Sequence, residues 1–154
     1  MSENSNLIVN ESRSLLGTIQ IPGDKSISHR SIILGSLTEG SLTIKNFLHS
    51  DDCLCTISAM KQLGANISVE RKKISIVGQG LFSLTEPKTI IDAGNSGTLI
   101  RLLSGVLATQ KFVSHLTGDL SLRNRPMDRI IKPLIHCGAD IDSDKFKAPL
   151  KINP

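Results

Sequence analysis

At 154 residues the chain is long enough for one sizeable core, and 39% apolar with 21% charged content excludes a disordered sequence. The formal charge of +4 comes from dispersed basic residues, and four Phe stand without Trp or Tyr. That balance excludes a nucleic-acid binder built on base stacking or a basic stripe, and it favours small anionic ligands.

The polar start, residues 1–14, is expected to be a loose arm. It has neither a basic n-region nor an apolar h-region, and no apolar run approaches the roughly 20 residues of a membrane span. A cytoplasmic chain with no membrane contact is therefore expected. Thr18–Ile21 alternates like a strand, and Ser28–Leu37 reads as a helix. Ser41–Phe47 predicts a strand with Leu42, Ile44 and Phe47 inward. Ser50 reads as the N-cap of a helix that carries Asp51 and Asp52 in its first turn and runs to Leu63, where Gly64 stops it. Asn66–Glu70 and Lys73–Val77 predict two strands, with Arg71-Lys72 as the hairpin turn between them.

After Pro87 the order recurs. Thr89–Asp92 reads as a strand, Gly97–Ala108 as a helix and Phe112–Thr117 as a strand. Pro126 opens a helix ending near Gly138, and Ile141 and Leu150–Ile152 close as strands. Arg30 and Arg101 correspond at an offset of 71, and Leu63–Ile67 matches Cys137–Ile141 at an offset of 74. The fold class is α+β, a sandwich-like arrangement of two βαβαββ units of about 70 residues each. Unit one is placed at about 15–86 and unit two at about 87–154. Pro133 predicts a kink or a broken helix. The chain end at Pro154 reads as cut, leaving apolar surface through which the piece is expected to self-associate. Cys53, Cys55 and Cys137 lack C-x-x-C spacing and are read as free thiols in the core, in a reducing compartment.

Candidate chemistry gathers in three places. Pro22–Arg30 (PGDKSISHR) sets Lys25, Ser26, Ser28, His29 and Arg30 between a Pro-Gly turn and an apolar run. That pattern suits an anion held at a helix N-terminus, where free N–H groups and the helix dipole meet added positive charge. Ser26 and Ser28 compete for the N-cap, and His29 is read as structural. Asp92–Arg101 (DAGNSGTLIR) repeats the plan: Asn95 and Ser96 suit a cap, Gly94 and Gly97 allow close approach to a ligand, and Arg101 is read as a buttress. The third place is Arg123–Arg129 (RNRPMDR), where Arg125, next to Pro126, is the arginine expected to point into the site. Asp51 and Asp52 are read as partners of their own helix dipole. No carboxylate pair for acid–base work, no catalytic triad and no metal set is found in the sequence.

PGDKSISHR, GNSGTLIRL and GDLSLRNRPM, in this order and spacing, resemble the N-terminal part of the 5-enolpyruvylshikimate-3-phosphate synthase family, over Leu15–Pro154. The resemblance implies transfer of the enolpyruvyl group of phosphoenolpyruvate to the 5-hydroxyl of shikimate 3-phosphate, on the way to chorismate and the aromatic amino acids, without a cofactor. It implies that Lys25 is catalytic and touches both substrates, that Ser26 and Arg30 hold shikimate 3-phosphate, and that Asn95, Gly97, Thr98 and Arg125 hold phosphoenolpyruvate. Glyphosate competes with phosphoenolpyruvate in this family, and small Gly97 leaves room for it, so sensitivity is expected. The family fold has six βαβαββ units in two domains, the intact enzyme being a monomer, and this chain supplies two of the units. The acid–base residues would lie in the opposite domain, so the chain alone is expected to be inactive. Two alternatives stay open: an anion-binding module without turnover, and the sister enzymes that act on a UDP-amino sugar.

Overall fold

The computed structural model describes residues 7–11, 14–70 and 73–154. The described elements are helix α1 (Lys25–Leu37), strand β1 (Glu39–Lys45), α2 (Asp51–Gln62), β2 (Asn66–Val69), β3 (Lys73–Gln79), β4 (Ile91–Asp92), α3 (Gly97–Leu107), β5 (Ser114–Thr117), α4 (Leu120–Arg123), α5 (Asp128–His136), β6 (Asp140–Asp144) and β7 (Lys147–Asn153). They form two sheets, ordered β1-β3-β2 and β4-β5-β7-β6. β3 runs antiparallel to β1 and β2, as β7 does to β5 and β6. β4 adds a parallel strand beside β5.

The same backbone devices recur in both halves. α2 ends at Gly64 (φ +87°), with Gly64 N–H donating to Lys61 O and Ala65 N–H to Met60 O. α5 ends at Gly138 (φ +98°), with Gly138 N–H donating to Ile135 O and Ala139 N–H to Leu134 O. Each is a Schellman turn, which satisfies the last helical carbonyls through a left-handed residue that only glycine adopts freely. A single hydrophobic core joins the halves. Ile74 and Ile76 of β3, Leu116 of β5 and Leu150 and Ile152 of β7 are buried with Ile32 of α1, Met60 of α2, Leu103 of α3 and Ile131 of α5. α3 is buried at Leu99, Ile100, Leu103 and Leu107, and it touches α1, α2, α5 and β5, so it is the central helix. α1 lies close on the first sheet because Gly35 leaves room: a Cβ there would come within 2.6 Å of Leu42 Cδ2 and 3.1 Å of Ile76 Cδ1.

Several expectations are corrected. Thr18–Ile21 forms no strand. Ile19 and Ile21 are 83% and 72% exposed, and β1 remains the edge of its sheet, so the alternation has neither a ladder partner nor a face to bury. α1 begins at Lys25 rather than Ser28, because Asp24 accepts from Ile27 N–H at 2.7 Å and takes the cap from both serines. Ser50 sits at the N-cap position of α2, but its hydroxyl makes no capping bond. Pro126 precedes α5, whose N-cap is Met127, and the short helix α4 has no counterpart in the expected elements. Pro133 does not break α5. The helix runs on to His136 at the cost of the one N–H that proline lacks, while its carbonyl still accepts from Cys137 N–H. Leu42 is 37% exposed rather than fully inward, and of the three cysteines Cys53 is buried, Cys55 half-buried and Cys137 exposed. The expected arm falls partly on residues 1–6 and 12–13, and the Arg71-Lys72 turn wholly on residues 71–72, which lie outside those described.

Candidate functional site

The N-terminal parts of three helices come together. Lys25, the first residue of α1, forms an ion pair with Asp52 in the first turn of α2. Cys55, also in α2, lies against Gly94, just ahead of α3: a Cβ on Gly94 would sit 3.2 Å from Cys55 Sγ. Burial raises the Cys55 thiol above its ordinary range, and Asp92, Asp52 and Asp51 raise it further. Asp92 before α3 and both acids of α2 therefore share one neighbourhood.

On the α1 side, Lys25 has a half-exposed side chain, and Ser26 and Arg30 are exposed. The Arg30 guanidinium folds back along its own helix, Nη1 donating to Ser26 O at 3.1 Å. The neighbouring polar residues have other work. Ser28 Oγ accepts from Leu48 N–H at 3.0 Å and ties the loop after β1 to the helix. His29 is fully buried, with Nδ1 2.6 Å from Thr56 Oγ1. Burial lowers its pKa; Asp52 pulls the other way, and Lys25 and Arg30 add to the lowering. A neutral, structural imidazole results, in line with the sequence reading.

The α3 side is more tightly built. The loop before α3 is stitched to the end of β5: Ala93 N–H donates to Thr117 O and Asp119 N–H to Gly94 O, both at 2.9 Å. Ser96 caps α3, accepting from Leu99 N–H at 3.2 Å. Asn95 faces two partners. Its Nδ2 donates to Asp119 Oδ2 at 2.7 Å, and its Oδ1 accepts from Arg125 Nη2 at 2.6 Å. Arg125 Nη2 also reaches Ser121 Oγ at 3.4 Å. Gly97 lies beneath two guanidiniums, since a Cβ there would come within 2.6 Å of Arg101 Nη1 and 3.2 Å of Arg125 Nη1. Thr98 follows, half-buried. Arg101 acts as the expected buttress: Nη1 donates to Gly97 O at 2.9 Å and Nη2 to Pro126 O at 3.1 Å, so it braces the approach to α5.

Lys25, Ser26 and Arg30 thus share one side, and Asn95, Gly97, Thr98 and Arg125 share the other. Arg123 and Arg129 are exposed and outside both groups. Two carboxylates join the site that the sequence did not place there. Asp52, read as a partner of its own helix dipole, also pairs with Lys25. Asp119 N-caps α4, accepting from Leu122 N–H at 2.7 Å, and its bond from Asn95 is the first cause that holds its carboxyl below the usual range. A Gly-Asp pair ahead of an apolar-polar alternation was the available signal. Among the described residues no group of three His, Cys, Asp or Glu side chains is placed to hold a metal ion, and no helix is long and apolar enough to cross a membrane.

Residues 9–154 match the sequence profile of EPSP synthase (3-phosphoshikimate 1-carboxyvinyltransferase). The chain belongs to the EPSP synthase family. It is 51% identical over 148 residues to the 3-phosphoshikimate 1-carboxyvinyltransferase of Ruthia magnifica subsp. Calyptogena magnifica, a match that covers 96% of this chain and 34% of that protein. The enzyme of the same name from Alkaliphilus metalliredigens (strain QYMF) is 50% identical over 148 residues, 95% of this chain and 35% of that protein. The solved EPSP synthase of Acinetobacter baumannii superposes with a TM-score of 0.84 at 44% identity, over 89% of this chain and 32% of that one. The chain spans about a third of the length of the curated EPSP synthases it matches, and it has their α+β enolpyruvyl transferase fold.

Proposed function

We propose that this chain forms one wall of a site that transfers the enolpyruvyl group of phosphoenolpyruvate to the 5-hydroxyl of shikimate 3-phosphate. The hydroxyl oxygen bonds the enolpyruvyl carbon, the bond from that carbon to the phosphate oxygen breaks, and the hydroxyl proton ends on the inorganic phosphate released. Each substrate carries a phosphate and a carboxylate, so bringing them together concentrates negative charge. A wall that supplies fixed cations and free helix N–H groups offsets that repulsion. The observation that carries the reading is the meeting of the N-terminal parts of α1, α2 and α3 with Lys25 and Arg30 on one side and Arg125 on the other.

In this reading Lys25 lies between the two substrates. Its ammonium has three donors, so the Asp52 contact leaves two for ligand oxygens. Ser26 and Arg30 hold shikimate 3-phosphate. Asn95, Gly97, Thr98 and Arg125 hold phosphoenolpyruvate, the ligand with which glyphosate competes, and Gly97, without a side chain, lets the Arg101 and Arg125 guanidiniums close over the start of α3. The intact protein would work in the cytoplasm on these small molecules, in the shikimate pathway, with the remaining residues of the site supplied beyond this chain.

An amide chemical-shift titration tests the assignment. Shikimate 3-phosphate should produce saturable shifts at Lys25, Ser26 and Arg30, and phosphoenolpyruvate at Asn95, Gly97, Thr98 and Arg125. A dispersed spectrum that neither ligand moves would remove the reading from this chain.

A further inference from the structure

Asn95 and Arg125 meet only because the Asn95 amide is turned one way. Along the α3 side, donors and acceptors alternate: Leu122 N–H donates to the Asp119 carboxylate, which accepts from Asn95 Nδ2, while Asn95 Oδ1 accepts from Arg125 Nη2. A carboxylate is an acceptor on both oxygens. It therefore forces the amide to present nitrogen toward Asp119 and oxygen toward Arg125. The Asp119 main chain is itself fixed, through its N–H to Gly94 O at 2.9 Å. A Cβ on neighbouring Gly118 would come within 2.5 Å of Gly94 O, so the two loops touch at backbone distance.

We propose that Asp119 is a positioning residue that sets the Asn95 amide and, through it, aims the Arg125 guanidinium into the phosphoenolpyruvate side of the site. The claim rests on the functional reading above for what Arg125 is aimed at, but not for the aiming itself. Asp119 would touch no substrate. Asp119→Asn isolates its role, because asparagine caps a helix as well as aspartate does. With the amide oxygen of the substituted side chain kept on Leu122 N–H, its NH2 group faces Asn95. Asn95 then turns its oxygen toward that NH2 and its own NH2 toward Arg125, donor against donor. Exchanging the two residues, Asn95→Asp with Asp119→Asn, restores the alternation. The amide NH2 at position 119 then donates to the carboxylate at position 95, and that carboxylate accepts from Arg125.

The test reads the Arg125 side-chain NMR signals and the Asn95 side-chain amide in the ligand-free chain, then the affinity for phosphoenolpyruvate. In Asp119→Asn we expect the Arg125 signals to move and broaden while backbone amides far from the loop stay in place. The dissociation constant for phosphoenolpyruvate should rise by about tenfold, the scale of one lost charge-assisted hydrogen bond. In the exchanged variant the Arg125 signals should return. Unchanged Arg125 signals in Asp119→Asn overturn the proposal, whatever the affinity. If Arg125 responds as expected but the unsubstituted chain binds no phosphoenolpyruvate, the positioning role stands and the substrate reading fails. If Asp119→Asn does not fold, the exchanged variant decides: recovered folding with Arg125 in place supports the alternation, and failure makes Asp119 a structural cap only.

Discussion

The two halves of the chain carry the same plan with different finish. Both run helix, strand, helix and an antiparallel pair, the second with the short α4 inserted, and both close their second long helix with a Schellman glycine, Gly64 or Gly138. Both brace the first helix with an arginine that donates to the carbonyl four residues back, Arg30 to Ser26 O and Arg101 to Gly97 O. They part at the first strand and at the side chains of the candidate site. The second half has β4 paired to β5, whereas Thr18–Ile21 stands exposed with no strand beside it among the described residues. The first half offers an ion pair, Lys25 with Asp52, and the second a relay through Asp119, Asn95 and Arg125. What recurs is backbone scaffolding; what differs is the chemistry hung on it.

The largest asymmetry should appear at the first strand. Ile91 in β4 is fully buried, so Ile91→Ala should cost about 3 kcal/mol, within the usual range for emptying a packed aliphatic site. Ile19 is 83% exposed, so Ile19→Ala should stay within about 0.5 kcal/mol of the unsubstituted chain. Urea denaturation of the two variants measures both. Equal losses would mean that Thr18–Ile21 is paired in solution and that the halves are alike after all.

Glycines at matching positions separate steric from conformational demand. Gly23 and Gly94 correspond at the same offset as the arginines. A Cβ on Gly23 would land on the Asn46 carbonyl oxygen, a backbone atom that cannot swing away. Gly94 instead holds φ +56°, with only the Cys55 thiol nearby at 3.2 Å. Gly23→Ala should cost about 3 kcal/mol as overpacking against main chain. Gly94→Ala should cost about 1–2 kcal/mol, the strain of a left-handed alanine. Thermal or urea unfolding of the variants measures both losses. Gly94→Asn should recover part of its loss, and Gly23→Asn none, because asparagine tolerates the left-handed region but not a collision.

These contrasts show what the sequence made legible. The repeat, the Schellman glycines and the three charged clusters were readable, because each depends on residue type at fixed spacing. Lys25, Arg30, Asn95, Gly97 and Arg125 stand out on the same ground. The strand at Thr18–Ile21 misled because alternation records a side-chain pattern and says nothing of whether a neighbouring backbone is there to pair. Asp24 was overlooked as a cap because two serines downstream offered the same chemistry. Asp52 and Asp119 escaped because their partners, Lys25 and Asn95, are distant along the chain, and only the fold brings them within hydrogen-bond reach.

A subtler difference concerns pH. His29 and Ile100 correspond at the repeat offset, and both are fully buried. Burial first, then Lys25 and Arg30, lower the His29 pKa in the folded chain against an opposing pull from Asp52. The unfolded chain therefore binds the proton more readily. His29 leaves stability undiminished above the ordinary histidine value, about 6.5; stability declines as pH falls from there through the lowered folded pKa. Melting temperatures should drop between about pH 7.5 and pH 5.5 in the unsubstituted chain, the range that brackets that value. They should drop less in His29→Gln, which retains a hydrogen-bonding group for Thr56 and cannot titrate. An unchanged pH slope in His29→Gln would locate the acid sensitivity elsewhere.

The smallest expected effect separates the two arginines by what each one holds. Arg30 makes one bond within its own helix and is exposed. Arg101 makes the equivalent bond and also reaches Pro126 O, linking α3 to the segment that leads into α5. Arg101→Gln should therefore lower stability by about 1 kcal/mol, the net worth of one hydrogen bond that ties two elements together. Arg30→Gln should leave stability within about 0.5 kcal/mol, as most exposed substitutions do. For ligand the proposed reading reverses the order: affinity for shikimate 3-phosphate should fall more in Arg30→Gln, which loses a cation proposed to hold it, than in Arg101→Gln, which loses a brace. Denaturation midpoints and a shikimate 3-phosphate titration of the same two samples give both orders. If Arg101→Gln loses more affinity than stability, then the brace is itself a ligand contact, and the matching arginines of the two halves do the same job.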